Sequence, residues 1–133
     1  MNTILVVDDK PAFTTLYKRL IESDGRYAVF TENKGSCAVE AARKYRPDLI
    51  ILDILMPDML GSDVAAELRA DPALLHTKVI FVTAMLRQNE VQKANESIGG
   101  HTIIAKPTSG KELFLAIEQA LGSADPNYSA FNH

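Results

Sequence analysis

Four strand-like runs in this chain end in residues that can do chemistry. Ile4 to Val7 ends in Asp8-Asp9, Leu49 to Leu52 in Asp53, Lys78 to Val82 in Thr83, and Thr102 to Ala105 in Lys106. Three carboxylates gathered in one place raise one another's pKa, and a divalent cation relieves the repulsion. Oxygen ligands without a neighbouring Cys or His select a hard ion, and Mg2+ favours one or two carboxylates together with water and phosphate. Lys106 adds a point charge for an anion. The Thr83 hydroxyl can donate to a further oxygen, with the small Ala84 beside it leaving room. An Asp nucleophile, a magnesium site and two contacts for phosphoryl oxygens are the parts of phosphoryl transfer, where positioning and charge neutralisation do most of the catalysis. Asp53 is the group expected to react. Its product is an aspartyl phosphate, and it needs no general base because the carboxylate is already ionised.

These groups share a site only if their strands run parallel. Leu49, Ile50, Ile51 and Leu52 form an unbroken apolar run, as in a strand covered on both faces. Met56-Pro57 and Gly61 then break it into a loop. Between the strands lie helical patterns. Pro11 suits a first helical turn, and Phe13, Leu16, Tyr17, Leu20 and Ile21 mark one buried face. A second helix is expected from about Gly35 to Tyr45, with Ala38, Ala41, Ala42 and Tyr45 inward and Pro47 ending it. A third runs from about Ser62 to Ala70 on Val64, Ala65 and Leu68. A fourth, from about Gln88 to Ser97, has only Val91 and Ala94 as apolar anchors and is expected to dock least firmly. Ser109 and Glu112 form a capping box for a fifth, whose buried face is Leu113, Ala116, Ile117, Ala120 and Leu121. Tyr27 to Thr31 supplies the remaining strand. Strict alternation of strand and helix predicts an α/β fold. The favoured form is a flavodoxin-like, doubly wound parallel sheet of five strands in the order 2-1-3-4-5 with five helices. Ligands of such sheets bind at the C-terminal ends of the strands, where all the reactive residues fall.

The 133 residues fit one domain, read as residues 1–122, with a flexible tail at 123–133. A net charge of −3 argues against binding nucleic acid or an anionic membrane. Cys37 is the only cysteine, which fits a reducing compartment. The N-terminus enters a strand pattern without a secretion signal, and no apolar run approaches a membrane span, so a cytoplasmic location is expected.

The pieces ILVVDD, DLIILDILMPDMLG, VIFVTA and IIAKP, in this order, resemble the receiver domain of two-component response regulators across about residues 2–121. The resemblance implies that Asp53 accepts phosphate from a phosphohistidine on a sensor histidine kinase or histidine phosphotransfer protein. It implies that Asp9, Asp53 and the backbone carbonyl of Leu55 hold Mg2+, with Asp8 acting mostly through water. Thr83 and Lys106 would hold phosphoryl oxygens, and the Lys106-Pro107 bond would be cis. It further implies a partner-binding face on the fourth helix, fifth strand and fifth helix, with homodimerisation through that face as one outcome.

One departure stands out. Family members usually carry Tyr or Phe three residues before the strand-5 lysine, and here that switch position is Ile103. Thr83, the other switch residue, is still expected to move toward the phosphoryl group, with a smaller or differently shaped surface change near the fourth helix and fifth strand. Leu55 and Met85, two residues past Asp53 and Thr83, are apolar and are expected to shield the site from water, slowing dephosphorylation.

Other readings fit less well. An Asp-nucleophile phosphatase of the haloacid dehalogenase type needs a D-x-D after strand 1 and a cap insertion, whereas this chain has Asp8-Asp9-Lys10 and no insertion. A flavodoxin-like cofactor binder needs a phosphate-holding loop there, and Asp8-Asp9 would repel it. A receiver-like interaction module that takes no phosphate is the nearest alternative, though every site group is present. Taken singly, Asp8-Asp9 could cap a helix, Thr83 could end a strand, and Lys106 could be a solvated turn residue.

Overall fold

The computed structural model describes residues 2–84, 102–106 and 109–121. Five parallel strands, β1 (Asn2–Val7), β2 (Tyr27–Glu32), β3 (Leu49–Asp53), β4 (Lys78–Thr83) and β5 (Thr102–Ala105), form one sheet in the order β2-β1-β3-β4-β5. The described helices are α1 (Pro11–Glu22), α2 (Ala38–Tyr45), α3 (Gly61–Ala70) and a C-terminal helix, Gly110–Leu121. The helix expected at 88–97, Met85, Pro107 and the tail at 123–133 lie outside the described residues.

The alternation of side chains along each strand divides the core in two. Leu5, Val7, Ile50, Leu52, Val79, Phe81 and Ile103 pack against Ala38 and Ala42 of α2 and Val64 and Leu68 of α3. On the other face, Ile4, Val6, Ile51, Ile80, Val82 and Ile104 meet Tyr17 and Ile21 of α1 and Leu113, Ala116 and Ile117 of the C-terminal helix. Both faces of β3 are covered, so every one of its residues is buried. This is why its sequence is a continuous apolar run rather than an alternating one.

Local differences from the sequence reading have identifiable causes. Leu16 is 54% exposed, because Thr14, Tyr17 and Ile21 form the centre of the buried stripe of α1 and Leu16 lies on its flank. The expected second helix starts as a 3-10 turn at Gly35–Cys37. There the Asp58 carboxylate accepts the N–H groups of Gly35 (3.3 Å) and Ser36 (3.0 Å), while Met56 and Met59 crowd Gly35. Cys37, at the end of that turn, is half-buried. The helix stops at Arg46, which adopts φ 50, just ahead of Pro47. Ser109 Oγ accepts the Glu112 N–H at 3.1 Å, the first half of the expected capping box.

Candidate functional site

The parallel arrangement puts the C-terminal ends of β1, β3, β4 and β5 on one edge. The residues singled out in the sequence meet there. Carboxylate oxygens of Asp8, Asp9 and Asp53 lie within 4.8 Å of one another. Asp8 and Asp53 are buried, and Asp9 is half-buried. Lys106 Nζ donates to Asp8 Oδ2 and stands 3.7 Å from Asp53 Oδ1, with its side chain only 5% exposed. The other Asp8 oxygen accepts the Lys10 N–H at 2.9 Å. Asp8 therefore shapes the entry to α1 and holds the lysine at the same time.

The electrostatic state of Asp53 follows from this crowding. Burial is the largest influence on its carboxyl, followed by the neighbouring Asp8 charge. Lys106 opposes them and Asp9 adds to them, and the pKa is pushed up to about 6. A site that holds its central acid this far from its usual value is asking for positive charge. The three-carboxylate donor set, with no Cys or His in the cluster, fits a hard divalent cation.

The backbone fixes the edge on which these groups sit. Ile54 N–H donates to Val82 O at 3.0 Å, and Lys106 N–H donates to Thr83 O at 2.7 Å. The tips of β3, β4 and β5 are thereby joined, and Thr83 is buried at the end of β4. Leu55, in the loop after Asp53, is 44% exposed. Ile103 is buried against Phe81, its register partner on β4.

Gly61 closes the loop after β3. Its N–H donates to Ile54 O at 2.8 Å, and a Cβ at this position would lie 2.5 Å from the Asp53 carbonyl oxygen. Backbone cannot yield cheaply there. Gly61→Ala is expected to cost about 1–3 kcal/mol of stability and to displace the end of β3. Thermal melting checks this; a wild-type melting curve would show that the loop absorbs the methyl group freely.

Two supports were not visible in the sequence. Asn33, just past β2, donates from Nδ2 to Asp8 O at 2.8 Å and to Thr14 Oγ1 at 3.1 Å. Asp8 N–H in turn donates to Glu32 O at 3.1 Å, so the end of β2 anchors the backbone of Asp8. The only signal for this was a polar residue at a strand end, the same signal that marked the other four. Tyr17, read as a packing residue, is buried close enough to feel the acidic cluster. Burial first, then Asp8 and Asp53, push its phenol up to about 12.

Comparison with known proteins agrees with this geometry. A profile of the response regulator receiver domain matches residues 4–118. The polar-differentiation response regulator DivK of Brucella anthropi is 34% identical over 123 residues, spanning 92% of this chain and 98% of that protein. The signal receiver domain of a signal transduction histidine kinase from Syntrophus aciditrophicus has a TM-score of 0.79 at 30% identity, covering 95% of this chain and 94% of that one. The chemotaxis protein CheY4 of Vibrio cholerae has a TM-score of 0.79 at 25% identity, covering 91% of this chain and 99% of its own.

Proposed function

This chain belongs to the response regulator receiver family, and we propose that its Asp53 accepts a phosphoryl group from a sensor histidine kinase or a histidine phosphotransfer protein. The observation that carries this reading is the meeting of Lys106 with Asp8, Asp9 and Asp53 at one sheet edge. An Asp53 carboxylate oxygen attacks the donor's phosphorus and forms an oxygen–phosphorus bond. The phosphorus–nitrogen bond of the phosphohistidine breaks, and its electron pair stays on the imidazole. Lys106 pairs with one phosphoryl oxygen, and the Thr83 hydroxyl donates to another. Asp9, Asp53 and the carbonyl of Leu55 would hold Mg2+, with Asp8 contributing through water. Bound there, the ion would neutralise charge on the carboxylates and the phosphoryl group.

The protein acts on no substrate but its own aspartate. The phosphorylated form favours a different surface near β5 and the C-terminal helix, and a downstream protein reads it. With aliphatic Ile103 packed in the core, that change is smaller than an aromatic swing would give. Structures with and without a phosphoryl mimic test this, and a large rearrangement around β5 would contradict it. No helix among the described residues is long and apolar enough to cross a membrane. The proposed setting is the cytoplasm, where such kinases present phosphohistidine.

Incubation with Mg2+ and a small phosphodonor is the test of the function. Intact mass is expected to rise by one phosphate in wild type, and not after Asp53→Ala or after chelation of the metal. Equal uptake by Asp53→Ala would overturn the reading. Leu55→Asn should shorten the lifetime of the phosphorylated form by admitting and orienting water, as followed by loss of the added mass; an unchanged lifetime would remove Leu55 as a shield. Met85, the other expected shield, lies outside the described residues.

A further inference from the structure

Lys106 touches one more group, which neither its pairing with acids nor the proposed chemistry requires. Its Nζ lies 4.1 Å from the centroid of the Phe13 ring. Phe13 is in the first turn of α1, beside the sheet edge where the site is built. One helical turn on, the Tyr17 ring braces it, with centroids 6.2 Å apart and planes tilted by 42°. Tyr17 is buried and Phe13 is half-buried, so the ring that faces the lysine is backed by a second, buried one.

We infer that Phe13 is a positioning residue for phosphoryl transfer, its ring face holding the Lys106 ammonium within reach of the group transferred to Asp53. The inference rests on the phosphoacceptor reading and adds a residue to it. Lys106 already bonds Asp8 and lies farther from Asp53, so Asp8 alone would draw the ammonium away from the reacting oxygen. A ring face attracts the cation through its quadrupole, with no directed acceptor lone pair. It thus limits the lysine's swing and shields it from water while leaving its N–H groups for oxygen acceptors. An aliphatic side chain of similar size can shield but cannot attract.

The test is a set of variants with the full chain, Mg2+ and a small phosphodonor. Phe13→Leu is expected to slow phosphoryl uptake about tenfold, a size that desolvated cation–π contacts can supply. Phe13→Tyr, which keeps the ring, should stay close to the wild-type rate. Both variants should melt cooperatively, and the position of the ammonium over the ring is read separately by its ring current. In wild type, the Lys106 methylene protons next to Nζ should be shifted upfield by the ring current, and Phe13→Leu should remove the shift. Equal rates in wild type and Phe13→Leu, or a missing upfield shift in wild type, would overturn the inference. The ring-current measurement needs no phosphodonor, so it separates failure of this inference from failure of the phosphoacceptor reading.

Discussion

Metal-free Asp53→Asn is expected to be more stable than wild type above about pH 7. Functional residues are often held at a cost to stability, and here the cost has an identified source. Moving a carboxyl from 3.8 to about 6 in the folded state disfavours folding by up to about 3 kcal/mol once it is ionised in both states. The sign follows from proton uptake. Between about pH 6 and pH 4, the folded protein holds a proton on Asp53 that the unfolded chain has lost, so stability rises as the pH falls through that window. Asparagine carries no charge at any of these pH values. Its advantage should therefore be about 1–3 kcal/mol near neutrality and should disappear near pH 4. Denaturant unfolding across this range checks both parts. Equal stabilities near neutral pH would mean that Lys106 already compensates fully for the crowding. Mg2+ should stabilise wild type more than Asp53→Asn, because it supplies the charge that the cluster lacks.

Lys106→Met should act in the opposite direction. Lys106 is the cation paired with Asp8 and Asp53, and both carboxylates are buried. Methionine approximates the stem of the lysine but leaves the two acids facing each other. Breaking a buried pair from one side typically costs about 3–5 kcal/mol, because the remaining charge has no compensation. The loss is expected to be largest in metal-free protein near neutral pH. It should shrink as the pH falls through the range in which Asp53 takes up its proton, since a neutral Asp53 no longer repels its neighbour. Mg2+ should restore part of the stability without restoring a normal rate of phosphoryl uptake. That split separates the structural charge of Lys106 from its contact with the transferred group. Full recovery of the rate by Mg2+ would deny the lysine any direct part in the chemistry.

The strand ends were legible because two simple signals coincide there. A run buried on both faces must be apolar, and a polar residue directly after it must stand at the sheet's rim. Asp53 after Leu49–Leu52 carries both signals, and so does Asp8 after Ile4–Val7; Lys106 follows an edge strand in which Ile103 and Ile104 are the buried residues. Strict alternation of strands and helices implied a parallel sheet, the order 2-1-3-4-5 was its favoured form, and the structure has that order. Contacts that depend on how separate elements meet were not legible. Asn33 supports Asp8 only because the end of β2 lies beside the end of β1 in register. Asp58 caps the turn at Gly35 from a loop far along the chain, so the start of α2 could not be placed from its own residues. Leu16 matched the helical period of α1, but the packing surface is narrower than the apolar stripe. The Phe13 contact with Lys106 joins α1 to β5 across the sheet edge, and no local pattern announces it.

The most direct test is to locate the acceptor chemically. Wild-type protein treated with Mg2+ and a small phosphodonor is reduced with borohydride, which converts an acyl phosphate to an alcohol, and is then digested and sequenced by mass spectrometry. Conversion of Asp53 to homoserine, with Asp8 and Asp9 unchanged, is the predicted result. Recovery of all three aspartates intact from protein that has gained a phosphate, or homoserine at a position other than 53, would contradict it.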